Sequence, residues 1–372
     1  MTESEAMAVL VSAQSISYAV RDHALKSAGS ALALLEDPHA QESILGAEGV
    51  AAIRRALSGA QKLLDLLRRD SVHLITNGSE GYPERLAYTE KPPHLLFCAG
   101  RSDLNDPHPF AIVGTRRADG YGIRHTRRIA GELAEKGICI VSGLALGVDA
   151  AAHWGALDAQ GRTIAVLGSA LDQLYPRANR TLMEKILESG GSVVSEYPPG
   201  AGPTRYSFVQ RNRIVAGMSA GVLVTQALHK SGALSTVNYA LEEGREVFAL
   251  PGDVDRFGSQ LPNKLIAEGA HPVITAQDIL PLVQDGTMRA LPEKAQRKEP
   301  ATQQIAMWPS APVRQMDPME QRIYDQLLAG DLDFDTLSEK TGIAGDELGS
   351  LLMMLELDGM IVSLPGPAYR LA

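Results

Sequence analysis

The chain has 372 residues, a formal net charge of −9, 45% hydrophobic and 21% charged residues, which calls for two or three folded domains and excludes a disordered or fibrous protein. It has no apolar run of the roughly 18 residues a membrane span needs, and MTESEAMAVL opens with glutamates where a secretory signal would carry positive charge. Cys98 and Cys139 are too few for a disulfide framework or a cysteine-rich zinc site, so a reducing cytoplasm is the expected compartment.

Residues 1–70 read as a helical (SAM-like) domain: apolar positions in AMAVLVSAQSISYAV and VAAIRRALSGAQKLLDLLRR recur every three or four residues, with Gly29, Gly46 and Gly49 as punctuation. Residues 71–107 are rich in Gly and Pro around two short apolar runs, VHLIT and HLLFCAG, and read as a connector that adds edge structure to the next domain. From Phe110 the pattern alternates apolar strand with helix. The strands are expected at FAIVG (110–114), ICIVSG (138–143), TIAVLG (163–168), SVVSE (192–196), GVLVTQ (221–226) and EVFALPG (246–252). Strands so short and uniformly apolar are buried on both faces, so 108–285 is expected to be an α/β domain with a Rossmann-like, doubly wound parallel sheet.

Residues 286–312 lack periodicity, hold Pro292, Pro300, Pro309 and Pro312, and read as a linker. Beyond them, MEQRIYDQLL, DTLSEKTG and DELGSLLMMLELDG are helical patterns, and MIVSLPGPAYRLA fits a hairpin. That order gives 313–372 the outline of a winged-helix domain, with Asp335 and Asp346 as expected N-caps.

Charge divides along the same boundaries. Lys+Arg against Asp+Glu runs 10 to 14 over 1–107, 17 to 17 over 108–285, 4 to 2 over 286–312 and 4 to 11 over 313–372. A neutral domain still forms a basic cleft where its arginines converge. The acidic tail is a different matter. Its third helical pattern carries Asp346, Glu347, Glu356 and Asp358 and no cation, whereas a duplex-reading winged helix presents Lys and Arg there. The tail is therefore expected to contact protein rather than grip duplex DNA, or only to stabilise the chain.

In an open parallel sheet, ligands bind beyond the carboxyl ends of the strands. Those ends are unusually small and polar: Gly114-Thr115-Arg116-Arg117, Ser142-Gly143, Gly168-Ser169, Glu196-Tyr197, and Thr225-Gln226 with Lys230-Ser231-Gly232 beyond. Glycines open backbone N–H groups to a ligand, and helix starts add positive partial charge. With Arg116, Arg177, Arg211, Asn212, Arg213 and Lys230 near that edge, the rim is suited to more than one phosphate. It matches neither G-x-G-x-x-G after the first strand nor the P-loop spacing. No cofactor or metal is expected. Asp149 and His153, one helical turn apart, are read as fixing the preceding loop, although a metal or acid–base pair would also fit that spacing.

The runs IVGTR (112–116), SGLALGVD (142–149) with Ala152-His153, YPRAN (175–179), SEYP (195–198), FVQRNRIVAG (208–217) and KSGA (230–233), then Pro251-Gly252 and Asn263 to Ala270, together resemble the DNA-processing protein A (DprA/Smf) family over roughly 80–275. The tail resembles the members that carry a winged helix. The resemblance implies a cytoplasmic, non-enzymatic, dimeric single-stranded DNA-binding protein that protects incoming DNA and loads RecA recombinase in natural transformation. By the same resemblance, Arg116 looks like the phosphate arginine and Lys230 with Ser231 and Gly232 like the second anchor. Gly114, Ser142, Gly143 and Asn212 would supply donors, Arg177 sits where the family is usually basic, and 261–270 with Leu265 and Ile266 resembles the self-association surface. Base stacking is expected from Tyr197, Tyr206 or Phe208. The alternatives are a nucleoside-monophosphate phosphoribohydrolase on a similar scaffold, whose P-G-G-x-G-T-x-x-E motif this sequence lacks, and a nucleotide-sensing module.

Overall fold

A computed structural model describes residues 1–229, 231–284, 318–327, 332–343, 348–349, 351–352, 355, 361–363 and 368–371. Two compact units divide the chain, Met1–Arg297 and Lys298–Ala372. No helix among the described residues is long and apolar enough to cross a membrane.

The first unit opens with α1 (Glu3–Ser12), α2 (Tyr18–Ala28), α3 (Ala31–Glu36), α4 (Glu42–Ser58) and α5 (Ala60–Arg69). Local chemistry sets their ends. Thr2 and Glu5 form a reciprocal capping box on α1, Ser17 caps α2, and Gly29 ends α2 at φ +83°. Val9, Leu10, Leu34, Leu35 and Ile53 make the helical core. A second cluster, Ala8, Val11, Leu64 and Leu67 against Leu95 and Phe97, joins these helices to the sheet. The helical segment expected as a separate domain is thus fused to the sheet by a shared core.

The sheet contains β1 (His73–Thr76) and, after the short α6 (Glu84–Ala87), β2 (Leu95–Gly100). There follow β3 (Pro109–Val113), α7 (Gly120–Ala134), β4 (Cys139–Ser142), α8 (Val148–Asp158), β5 (Thr163–Val166), α9 (Arg180–Glu188), β6 (Ser192–Ser195), α10 (Arg205–Met218), β7 (Gly221–Val224), α11 (Gly232–Glu242), β8 (Glu246–Ala249), α12 (Gln260–Ala267), β9 (His271–Pro272) and α13 (Leu280–Gln284). The nine strands lie in the order β1-β2-β6-β5-β4-β3-β7-β8-β9. Strands β3 to β9 run parallel, and the β1–β2 pair is added antiparallel at the β6 edge. The six expected strands form β3 to β8; β9 is a two-residue addition.

Alternation along β3 shows why both faces need cover. Phe110 and Ile112 pack with Ile129 and Leu133 of α7 and Val148 and Ala152 of α8. Ala111 and Val113 face the other way, onto Ile214 and Val215 of α10 and Val237 of α11. This α/β sheet is doubly wound and Rossmann-like, and its winding reverses between β3 and β7. Such a switch point opens a crevice at the carboxyl ends.

Leu265 of α12 is 3% exposed and belongs to the second of these cores, with Ile266 half-buried beside it. Leu265 therefore cannot serve as an exposed self-association contact; its side chain holds α12 to the sheet.

The second unit contains α14 (Pro318–Leu327), β10 (Leu332–Asp333), α15 (Phe334–Thr341), β11 (Ile361–Ser363) and β12 (Ala368–Leu371), with β12 central in a three-stranded antiparallel sheet. Ile323, Leu327, Leu337, Leu348, Leu352 and Ile361 form its core. The expected hairpin is β11–β12, and β10 supplies a further strand. Asp333, not Asp335, caps α15 by accepting from Thr336 N at 2.8 Å. Pairing of Asp333 with Ala368 of β12 fixes the chain there, two residues earlier than expected. Asp346 lies outside the described residues.

Candidate nucleic-acid interface

Beyond the ends of β3, β4 and β7, at the switch point, lies an open cleft of about 810 Å³. Its lining combines the turn after β3, Gly114 to Arg117; a floor of Gly143, Ala145, Asp149 and the buried Arg211; and Tyr175, Phe208 and Val209 together with Ser231 and Gly232 at the start of α11. Backbone contacts hold the turn: Thr115 N donates to Gln226 O at 2.6 Å, and Val148 N donates to Thr115 O at 3.2 Å. This approach leaves no room at Gly114, where a Cβ would sit 2.5 Å from Gln226 O.

The floor is a buried charge arrangement. Arg211 is 4% exposed and donates to Gly143 O and Val166 O, the backbone at the ends of β4 and β5. Gly143 is required here, because a Cβ would collide with the Arg211 guanidinium. The Asp149 carboxylate accepts from Gly143 N at 3.1 Å and Ala145 N at 3.4 Å. Burial pushes the Asp149 pKa up while Arg211 opposes the shift; burial pulls the Arg211 pKa down while Asp149 opposes it. Asn179 pins the same loop from the other side, Nδ2 donating to Leu144 O at 2.9 Å and Ala145 O at 3.1 Å. Asp149 thus fixes the loop as expected, but His153 does not share the task. Its Nδ1 lies 2.7 Å from Thr163 Oγ1, whose own proton goes to Ile140 O, so the ring is the neutral Nδ1–H tautomer, facing β5. Burial lowers the His153 pKa to about 3. Among the described residues, no group of three or more His, Cys, Asp or Glu is placed to hold a metal ion.

The structure separates the expected site residues. Gly114, Arg116, Gly143, Arg211, Asn212, Ser231 and Gly232 line the cleft. Arg116 and its neighbour Arg117 are exposed, and neither has an acidic partner among the described residues. Asn212 faces α11, donating to Gly232 O at 3.1 Å and Ser235 Oγ at 2.7 Å. Ser231 Oγ is buried without a partner, at the N-terminus of that helix. Lys230 lies outside the described residues.

Four expected residues stand apart from the cleft lining. Ser142 is fully buried and its hydroxyl donates to Ile112 O at 2.6 Å, tying β4 to β3. Gly168 is a packing site, where a Cβ would meet the Phe208 ring at 2.7 Å. Arg213 turns away, pairing with Glu196 and donating to Lys91 O at 2.7 Å. Arg177 is exposed on the turn before α9. Of the three rings expected to stack, Phe208 lines the cleft. Tyr197 lies in a different crevice against Phe97 and Met183, and Tyr206 is 71% exposed but outside the lining. Tyr175 was not singled out from sequence as a ring of the site, and its place in YPRAN was the available signal.

Residues 73–284 match the family described as DNA recombination-mediator protein A, and residues 307–367 match the DprA winged helix domain. Protein Smf of Escherichia coli is 39% identical over 313 residues, covering 82% of this chain and 79% of that protein. The DNA processing protein DprA of Streptococcus pneumoniae is 43% identical over 199 residues, 54% of this chain and 70% of that one. The X-ray structure of the Streptococcus pneumoniae protein superposes with a TM-score of 0.63 at 34% identity, covering 75% of this chain and 97% of that one. A structure of the Helicobacter pylori DprA, described by its single-stranded DNA binding mode, gives a TM-score of 0.51 at 34% identity over 56% of this chain and 94% of that one. The chain belongs to the DNA recombination-mediator protein A (DprA/Smf) family, in the form that carries a C-terminal winged-helix domain.

Proposed function

We propose that the switch-point cleft binds single-stranded DNA and that the protein is a cytoplasmic recombination mediator, not an enzyme, which protects incoming strands and loads RecA recombinase onto them during natural transformation. The observation that carries the reading is the meeting, in the lining of one cleft, of exposed Arg116, which has no acidic partner among the described residues, and the start of α11. A cation and a helix N-terminus lining one cleft suit successive phosphates. The single-stranded DNA binding of the Helicobacter pylori relative supports the polymer over a small anion. Lys230, next to Ser231 and Gly232 in sequence, is the second DNA anchor in this reading, and exposed Arg177 is a further phosphate contact. Self-association through 261–270 rests on Ile266, Leu265 being part of the core. The acidic winged-helix domain contacts protein.

Oligonucleotide binding measured at two salt concentrations, single against double strand, tests the reading. Each phosphate contact on a single strand contributes a slope of about −0.7 in log K against log salt. Arg116→Ala is expected to weaken binding about tenfold and flatten that slope by about 0.7. Unchanged affinity and slope would sink the assignment of the cleft. The phosphoribohydrolase alternative predicts release of free base from mononucleotides, whereas Asp149, the buried carboxylate in the cleft floor, is already committed to two loop amides.

A further inference from the structure

The two sides of the cleft differ in chemistry. The turn after β3 offers an arginine and backbone groups, whereas α10 and the segment before α9 offer Tyr175, Phe208 and Val209. A free phosphate needs only the first. A polymer with a charged backbone and flat, apolar side groups needs both.

The aromatic side is built as a platform. The rings of Tyr175 and Phe208 stand 5.6 Å apart, tilted by 49°, and the Arg116 guanidinium lies 4.9 Å from the Phe208 centroid. Phe208 fits because Gly168 has no side chain, and the first turn of α10 is tied down by Ser207 Oγ donating to Gly168 O at 2.5 Å. Tyr175 is 47% exposed although its segment is anchored at both ends: Ala170 N donates to Ala201 O at 2.9 Å, and Asn179 holds the loop after β4. A ring braced on one side and open to a cleft on the other is pre-organised for stacking, with little ordering left to do on binding.

We infer that Tyr175, braced by Phe208, is the base-stacking residue of the cleft and the source of its preference for unpaired strands. This rests on the single-stranded DNA reading of the same cleft and goes beyond it. A base inside a duplex has both faces covered and offers nothing to Tyr175, whereas an unpaired base beside the phosphate at Arg116 lies within reach. Stacking is indifferent to base identity, so the site selects strandedness and not sequence.

The test compares a short single-stranded oligonucleotide with the same oligonucleotide made abasic, for the wild type, Tyr175→Ala, Tyr175→Phe and Tyr206→Ala. The wild type is expected to bind the abasic strand about tenfold more weakly than the intact one, and Tyr175→Ala to bind both at that weaker level with its salt slope unchanged. Tyr175→Phe should retain the preference. Tyr206→Ala, which removes a more exposed ring outside the cleft, should behave as wild type. A wild type indifferent to base removal overturns the inference without reference to any variant, and so does a Tyr175→Ala protein that keeps the intact-over-abasic preference. If Arg116→Ala lowers affinity and slope while Tyr175 has no effect, the platform fails and the cleft reading stands; if neither substitution matters, the cleft reading fails first.

Discussion

The turn after β3 carries Arg116 with Arg117, helix α10 carries Arg211 with Arg213, and the two pairs are used in opposite ways. The turn leaves both exposed, with no acidic partner among the described residues, at the mouth of the cleft. Helix α10 buries Arg211 against two strand-end carbonyls and pairs Arg213 with Glu196. One pair is available to a ligand; the other pair fixes the geometry in which the ligand site exists. Charge density along the chain does not separate these roles. The number of acceptors that burial places around each guanidinium does.

The largest effect expected from this contrast is on folding. Arg211→Ala removes the donors to Gly143 O and Val166 O and leaves the buried Asp149 carboxylate without its nearby cation. Removing one partner from a buried charged arrangement costs about 3–5 kcal/mol. Denaturant unfolding should register a loss of that order for Arg211→Ala, whereas Arg116→Ala should cost at most about 1 kcal/mol, the worth of an exposed guanidinium resting on the Phe208 ring. Equal destabilisation by the two substitutions would break the comparison.

A second, smaller effect is in the pH dependence of stability. His153, whose pKa is lowered by burial and by Arg211 to about 3, stays neutral in the folded chain while the unfolded chain binds a proton near pH 6.5. The folded state therefore binds fewer protons, and stability is lost as pH falls from about 6.5 toward 3, by up to about 1.4 kcal/mol per pH unit for each such group. His94, lowered by burial to about 4, has the same sign. Unfolding free energy followed between pH 7 and 4.5 should thus fall in the wild type, and His153→Gln should remove about half of the slope contributed by the two. An unchanged slope would show that the imidazole is protonated in the folded protein.

The strands were legible because β3 to β8 are short, mainly apolar runs buried on both faces, apart from exposed Glu246 at the start of β8. The partner that covers a given apolar surface was not. In α5 the leucines mark an inward face, but only the fold shows that Leu64 and Leu67 meet Leu95 and Phe97. Leu265 and Ile266 look alike in sequence, and one step around the helix buries the first more deeply than the second. Asp333 and Asp335 are equally good caps by composition, and strand pairing decides between them. At the site, Gly114 and Arg116 were legible as a turn at a strand end. The division between Arg116 and Arg213 was not, because Glu196 and the Lys91 carbonyl are brought in from distant parts of the chain.

The smallest effect separates Arg117 from Arg116, adjacent residues on the same turn. Both are exposed and line the cleft, but Arg116 has its guanidinium over Phe208, whereas Arg117 is held to the turn through its backbone, with its N donating to Thr115 Oγ1 at 3.2 Å. A guanidinium seated on a ring loses less freedom when it meets a phosphate, and the ring adds an attraction of about 0.5–1 kcal/mol at exposed sites. Arg117→Ala should therefore weaken oligonucleotide binding by about two- to threefold, less than Arg116→Ala does, and flatten the salt slope by less than the roughly 0.7 of a full single-strand contact. In a Phe208→Leu background the loss caused by Arg116→Ala should shrink to that caused by Arg117→Ala, since without the ring the two arginines differ only in position. If the gap between them survives Phe208→Leu, the ring is not what distinguishes them, and the position of Arg116 nearer the β3 strand end takes its place as the cause.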